Sequence, residues 1–384
     1  MKKTRLNCTA YYFASVFLLL FLFSCRSRPK AFKIVRTIEF DIKKNLSPGD
    51  DNWRIENGKA VYIFPLTETD KHVYFFDENG KKKLVVPLKE IKQLTDIDRV
   101  AVFNYDSIFV SSRYSGNLYL INHEGSVQKR IVLGGLDSLG STYQLISPGY
   151  SSFLYNGKFL FTLNLAIYQP HLGHNLEVHE YYSIQKHGPY FALYTDPFNN
   201  PEKIDTFLNG FFNRFIDTNC NNHDNPRPTF NNDTILFSSC YSDSLYLIKP
   251  GPFRIVNVKK MESSYDRHLL KNDPLPIDSM DQDEMHRRAE CQGWIKRHLY
   301  DPFRHLYIVS IVHSRKDEDE RRSWSVIVLN TKLEKLGEHV FWEDEYVPTS
   351  ILVHSEGLLI QKRDKAYIQN KKFDLFSYDL KPKS

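Results

Sequence analysis

The sequence predicts an all-β chain folded as a single β-propeller of about six four-stranded blades, closed by pairing the N-terminal strand with the last blade. Three observations carry this. Asp106–Asn122 (DSIFVSSRYSGNLYLIN) and Asp233–Lys249 (DTILFSSCYSDSLYLIK) align without a gap and agree at ten of seventeen positions. Each is a pair of β-branched and aromatic runs around a small polar stretch, so one supersecondary unit recurs along the chain. The 27 Phe and 23 Tyr against only 4 Met suit pleated surfaces better than helical bundles. Finally, Phe32–Ile42 (FKIVRTIEFDI) is an isolated strand with no sequence neighbour to pair with, as expected of an outer strand that completes the last blade and removes an open edge. Two stacked sandwich domains are the alternative, and they leave that first strand unexplained.

Taken in order, the chain opens with an address. Lys2, Lys3 and Arg5 precede the apolar run Tyr11–Phe23, which at thirteen residues matches a signal-peptide core rather than a membrane span. It ends in Leu22-Phe23-Ser24-Cys25, which resembles a bacterial lipobox. Residues 1–24 are therefore expected to be a lipoprotein signal peptide, Cys25 the acylated first residue of the mature chain, and 25–31 a tether to a propeller domain over 32–384. An uncleaved anchor helix is the plainer alternative. Two or three acyl chains give stable membrane anchoring where one is marginal. Removal of the leader takes the charge from +5 to 48 basic against 46 acidic residues. That balance calls for no nucleic-acid partner.

After a polar loop, Lys59–Phe64 follows an Asn57-Gly58 turn, and His72–Asp77 and Lys82–Leu88 form a hairpin around Asn79-Gly80. The first strong repeat continues into Val127–Leu133. A third unit begins at Phe153 and is interrupted by an insertion, Ile167–Pro189. The second strong repeat ends near Val258, and Ser279–Arg288 has helical character, with Asp278-Ser279 as a cap. His298–His313, a charged hairpin loop Arg315–Arg322, Trp324–Leu329, Ile351–Gln361 and Lys372–Leu380 complete the chain. The units fall near 59–88, 101–133, 151–207, 232–259, 302–341 and 350–380, about six.

Tyr300-Asp301-Pro302-Phe303-Arg304, leading into a strand at Leu306-Tyr307, resembles a motif of the envelope lipoproteins of Bacteroidota grouped as domain of unknown function 4221, related to TolB-like six-bladed propellers. The resemblance implies that fold over the whole mature chain and a lipid anchor. It implies no activity, because the family has no agreed catalytic residues.

Few residues point to chemistry. His171, His174 and His179, with Glu180, offer ligands for zinc or a related metal, but their spacing fits no recognised site and loop histidines are commonly just solvated. Arg304 is either a bidentate anion contact or, on the plainer reading, a stacked arginine tying Asp301 to neighbouring backbone. Arg315–Arg322 (RKDEDERR) balances its charges and reads as a solvated hairpin tip. Cys220, Cys240 and Cys291 remain after processing, an odd number, so a Cys220–Cys240 bridge competes with buried free thiols. The chain contains no Gly-rich phosphate loop, no His-Glu-x-x-His and no Gly-x-Ser-x-Gly elbow. The expected function is a membrane-anchored, non-catalytic propeller that binds a protein or glycan without a cofactor, lipid-anchored in the cell envelope at the outer membrane and facing the periplasm. The alternative is a metal-dependent hydrolase or lyase of the six-bladed lactonase-like type.

Overall fold

The computed structural model describes residues 32–42, 52–66, 71–88, 97–112, 117–132, 143–146, 154–155, 158–165, 191–194, 203–207, 228–231, 234–238, 242–249, 253–266, 290–363 and 371–378. The leader, Cys25, the histidine insertion, Cys220, Cys240 and the Ser279–Arg288 segment lie outside them.

Near-continuous apolar runs buried on both faces make the middle strands, more exposed polar runs make the outer ones, and together these antiparallel strands assemble into six sheets among the described residues. The first strand, β1 (Lys33–Phe40), waits for the last sheet. Blade 1 is β2 (Asn52–Glu56), β3 (Lys59–Leu66), β4 (His72–Phe76) and β5 (Lys82–Pro87). Blade 2 is β6 (Ile97–Asn104), β7 (Ser107–Ser112), β8 (Asn117–Ile121) and β9 (Val127–Val132). Blade 3 is β10 (Tyr143–Ile146) and β11 (Leu154–Tyr155), both paired with β12 (Lys158–Leu165), then β13 (Phe191–Tyr194) and β14 (Ile204–Phe207). It therefore counts five strands where four were expected. Blade 4 is β15 (Thr229–Asn231), β16 (Thr234–Ser238), β17 (Ser244–Lys249) and β18 (Arg254–Lys260). Blade 5 is β19 (Trp294–Asp301), β20 (Leu306–Val312), β21 (Ser323–Leu329) and β22 (Lys335–Trp342). Blade 6 is β23 (Tyr346–His354), β24 (Gly357–Lys362), β25 (Lys371–Ser377) and, on its outer side, β1.

The two strong repeats occupy equivalent positions, the middle strands β7–β8 of blade 2 and β16–β17 of blade 4. The expected units began one strand late in blades 1, 3, 4 and 5, leaving out β2, β10, β15 and β19. Two of the missing strands, NWRIE and WIKRHLYD, carry charged residues and read as loop or as the end of the preceding unit.

Closure is made by β1, which pairs antiparallel with β25 from Lys33↔Ser377 to Phe40↔Lys371. Phe40 is fully buried and meets the rings of Tyr62, Phe64, Phe76 and Phe373 at centroid distances of 5.4, 5.0, 5.3 and 5.3 Å. The first strand thus supplies the hinge of the core between blades 6 and 1. That core runs on into blade 5 through Trp324, Phe341 and Phe376. Further apolar clusters join blade 1 to blade 2 and blade 4 to blade 5, and Phe207 of blade 3 stacks on Phe253 of blade 4.

Successive blades also interlock through the turn between their third and fourth strands. A Cβ on Gly80 would meet the Glu39 carbonyl at 2.6 Å, and one on Gly125 (φ +83°) would meet the Pro87 carbonyl at 2.0 Å, so each glycine lets its turn lie on the outer strand of the blade before. The exposed outer strands carry paired cations: Lys33 and Arg36 on β1, Lys82 and Lys83 on β5, Lys259 and Lys260 on β18. Such charges discourage edge-to-edge pairing with other chains.

The register fixes which links share a face. Links from first to second and from third to fourth strands close one face, the turn face, and apart from 195–203 they span two to five residues. Links from second to third strands and from blade to blade leave from the opposite, connection face. The strand ends bounding 166–190, 208–228, 261–293 and 313–322 all belong to it.

Candidate functional site

The Tyr300–Arg304 motif lies at the turn face, where β19 ends. Asp301 is fully buried. Its Oδ1 accepts the backbone N–H groups of Phe303 at 2.9 Å and Arg304 at 3.2 Å, so Pro302 and the carboxylate together shape the turn. Its Oδ2 accepts from Arg304 Nη1 at 2.9 Å and from the Tyr378 hydroxyl. Arg304 reaches on into blade 6, donating to the carbonyls of His354 at 3.2 Å and Ser355 at 2.8 Å, and its guanidinium sits 4.9 Å over the Tyr378 ring. Burial first, and then the Asp301 carboxylate, push the Tyr378 hydroxyl far above its ordinary pKa, so it stays a donor. Tyr300 lies apart from this set, its hydroxyl 2.9 Å from His305 Nδ1.

The polar chain continues across the next junction. Ser355 Oγ donates to Glu78 of blade 1 at 3.1 Å, and Lys59 pairs with the same carboxylate at 3.3 Å. The motif is therefore one end of a staple linking blades 5, 6 and 1 along the turn face. Arg304 spends its planar fork inside the protein, which leaves little of it to hold an external anion.

On the inner strands, Arg297 donates to the Thr349 carbonyl of β23, bridging blades 5 and 6 beside a bulge in β19. His298 is buried with Thr229 of blade 4. Thr229 Oγ1 donates to the His298 carbonyl at 2.7 Å and lies 2.9 Å from Nδ1. The hydroxyl's single proton goes to the carbonyl, so Nδ1–H must donate back to the oxygen, and Nε2 is an acceptor with no partner among the described residues. Burial, and secondarily the Arg297 charge, lower its pKa to about 3. The unfolded chain binds this proton near pH 6.5 and the folded chain only near 3. Its contribution to stability is thus complete above 6.5 and drains away as pH falls through that window, by up to about 1.4 kcal/mol per pH unit. Burial depresses His313, His339 and His354 in the same direction. A melting series from pH 7 to 4 should show this decline, and His298→Asn, which keeps a donor for Thr229, should make it shallower. An unchanged slope would refute the assignment.

A third polar cluster sits on the connection side of the junction between blades 4 and 5. The segment after β18 is fastened to blade 5 by Glu338, which accepts from Ser263 Oγ at 2.6 Å, Ser264 N at 2.8 Å and Lys335 Nζ at 2.6 Å. Asp266 takes the N–H and hydroxyl of Ser314 at 2.6 and 2.9 Å. Buried His313 lies between Ser323 Oγ at 2.8 Å and Ser325 Oγ at 2.7 Å. Serine, histidine and carboxylate meet here in the wrong order for a hydrolytic relay, since the acid holds a serine and the imidazole is flanked by hydroxyls on both sides. The cluster is a fastening.

The charged loop departs from expectation at its ends. Lys316–Arg321 is exposed, but Arg322 is buried 4.3 Å over the Trp294 ring and donates to the Gln292 carbonyl at 2.8 Å. Arg315 pairs with Glu290 at 3.0 Å. Two of the four bases thus hold the loop down on the connection face. Cys291 is a half-buried free thiol. His171, His174 and His179 fall outside the described residues, and among those described no three His, Cys, Asp or Glu side chains converge as a metal site would require. Sequence reasoning missed the partners of the motif, Tyr378, His354, Ser355 and Glu78, whose only signal is spatial.

No family model matches this chain, and no curated protein matches it. Solved structures do. A member of the domain of unknown function 4221 family from Bacteroides vulgatus superposes with a TM-score of 0.65 at 16% identity, covering 92% of this chain and 100% of that one. A putative exported protein from Bacteroides fragilis gives a TM-score of 0.51 at 9% identity, covering 91% and 96%. At these identities the likeness establishes the fold.

Proposed function

We propose that the chain is a lipid-anchored envelope propeller of the domain of unknown function 4221 family, held at Cys25 in the outer membrane on its periplasmic side, which binds a protein or glycan partner through its connection face. The family reading is supported by the Tyr300–Arg304 motif together with the backbone likeness at a TM-score of 0.65. The binding reading is carried by one observation above others. The polar groups that sequence singles out at Asp301 and Arg304 are consumed in fastening blades, whereas the longest links, 166–190, 208–228 and 261–293, depart from the opposite face. Loops on a rigid scaffold are where recognition is usually built, and a propeller by itself decides nothing about chemistry.

A thermal-shift series with calcium, zinc and a chelator separates binding from metal-dependent hydrolysis, because a ligand that binds only the folded state raises the melting temperature by mass action. Indifference to every cation is expected. A rise of several degrees with one of them, abolished by chelator, would favour the lactonase-like alternative.

A further inference from the structure

We propose that the start of β1 rests on the membrane, with Ile34 and Val35 seated among the phospholipid headgroups and blade 6 as the side of the ring turned toward the bilayer. The inference rests on acylation of Cys25 and adds which surface the anchor brings down.

The exposed apolar pair is the first observation. Ile34 is 50% exposed and Val35 48%. A strand normally sends neighbours to opposite sides, but the register shifts between Ile34 and Arg36, so Val35 has no partner on β25 and the alternation breaks. Single exposed aliphatic residues are ordinary. Two in succession, flanked by exposed Lys33 and Arg36 on an outer edge, form a small amphipathic patch. Long cationic side chains of this kind lay their stems on apolar surface and keep their charge at the phosphate level. Arg36 pairs with Glu356 at 3.2 Å, but both side chains are nearly half exposed, a setting in which an ion pair is weak and readily exchanged for a lipid phosphate.

The second observation is where the chain leaves the domain. Phe32 is packed into the junction of blades 5 and 6, stacked on His339 at 5.0 Å and Tyr378 at 5.6 Å and edge-on to Phe341 at 6.3 Å. The free tether is therefore only residues 25–31, which even fully extended reach about 25 Å. An acylated Cys25 keeps Ile34 and Val35 permanently within about 35 Å of the bilayer, so contacts too weak to bind from solution suffice once tethered. The outer edge of β1 also carries backbone groups that pair with no strand of the ring, and lipid headgroups would cover them. Val256 and Val258 on β18 are similarly exposed, but they stand on blade 4, whereas the described residues begin at Phe32 beside blade 6.

The test is hydrogen exchange on the full-length acylated protein in phosphatidylethanolamine–phosphatidylglycerol vesicles, compared with Cys25→Ala in solution. Amides of residues 33–36 are expected to exchange at least tenfold more slowly on the vesicles, while those of β18 are unchanged. The double variant Ile34→Asp/Val35→Asp should still float with the vesicles and lose the slowing. Flotation with no slowing would overturn the proposal and leave the anchor intact. Failure of the native protein to float would overturn the anchoring reading and this one with it. Sedimentation of soluble Cys25→Ala as a dimer, with residues 33–36 protected in it as strongly as on the vesicles and Ile34→Asp/Val35→Asp abolishing both, would assign the patch to a second copy and overturn the membrane as its occupant.

Discussion

Removal of residues 32–42 is expected to abolish folding of the whole domain. Phe40 and Ile42 are essentially fully buried and Ile38 nearly so, and each large apolar side chain returned to water costs roughly 1.5–3 kcal/mol. The loss approaches the entire stability of an ordinary domain, about 5–15 kcal/mol, before counting the backbone bonds to β25. Those bonds matter twice, since their loss also turns β25 into an open edge. Phe40→Ala isolates the packing part of the effect. It empties the centre of a five-ring cluster and should cost about 3–5 kcal/mol while leaving the strand in place. Denaturant unfolding of the two variants is the check. A truncated protein that melts like the native one would mean that the ring closes some other way.

Arg304→Ala should be the most damaging single change at the turn face. It strands the Asp301 carboxylate at zero exposure, with two backbone N–H groups and the Tyr378 hydroxyl but no cation. Breaking a buried pair in this way typically costs about 3–5 kcal/mol, far more than an exposed pair is worth. Here it also releases the carbonyls of His354 and Ser355, so blades 5 and 6 separate at that end. Arg304→Lys should rescue little, because an ammonium cannot serve one carboxylate and two carbonyls from a planar fork. Urea midpoints of the two variants settle this, and a full rescue by lysine would show that charge alone matters. Binding by the connection face should survive both, provided that the assay is run below the new midpoint.

Much of the architecture was legible because the middle strands of the blades are short runs of β-branched and aromatic residues bounded by turn signals. The two copies of the Asp–Ile–Ser-Ser–Tyr-Ser–Leu-Tyr-Leu-Ile frame stand at the same place in blades 2 and 4, since the middle strands of every blade meet the same environment on both faces. The inner strands were less legible. Arg54 and Arg297 send charge to carbonyls of neighbouring blades, and a bulge at Lys296 breaks the alternation of β19. What the sequence withheld was partnership. Arg304 finds its carbonyls fifty residues downstream, and Thr229 finds His298 sixty-nine residues away. Local pattern carries no trace of either. Arg322 was misjudged for a related reason: a run with equal numbers of acids and bases looks solvated, and only the indole of Trp294 beneath it shows otherwise.

The face on which the protein works is tested most directly by photo-cross-linking in growing cells, with the reactive residue placed at one exposed position at a time. Lys316, Asp319 and Asp344 sample the connection face, and Asn57, Glu124 and Lys332 sample the turn face. A discrete adduct of constant mass is expected from the connection-face positions and none from the turn face. Adducts from the turn face alone, from both faces equally, or from no connection-face position would contradict it.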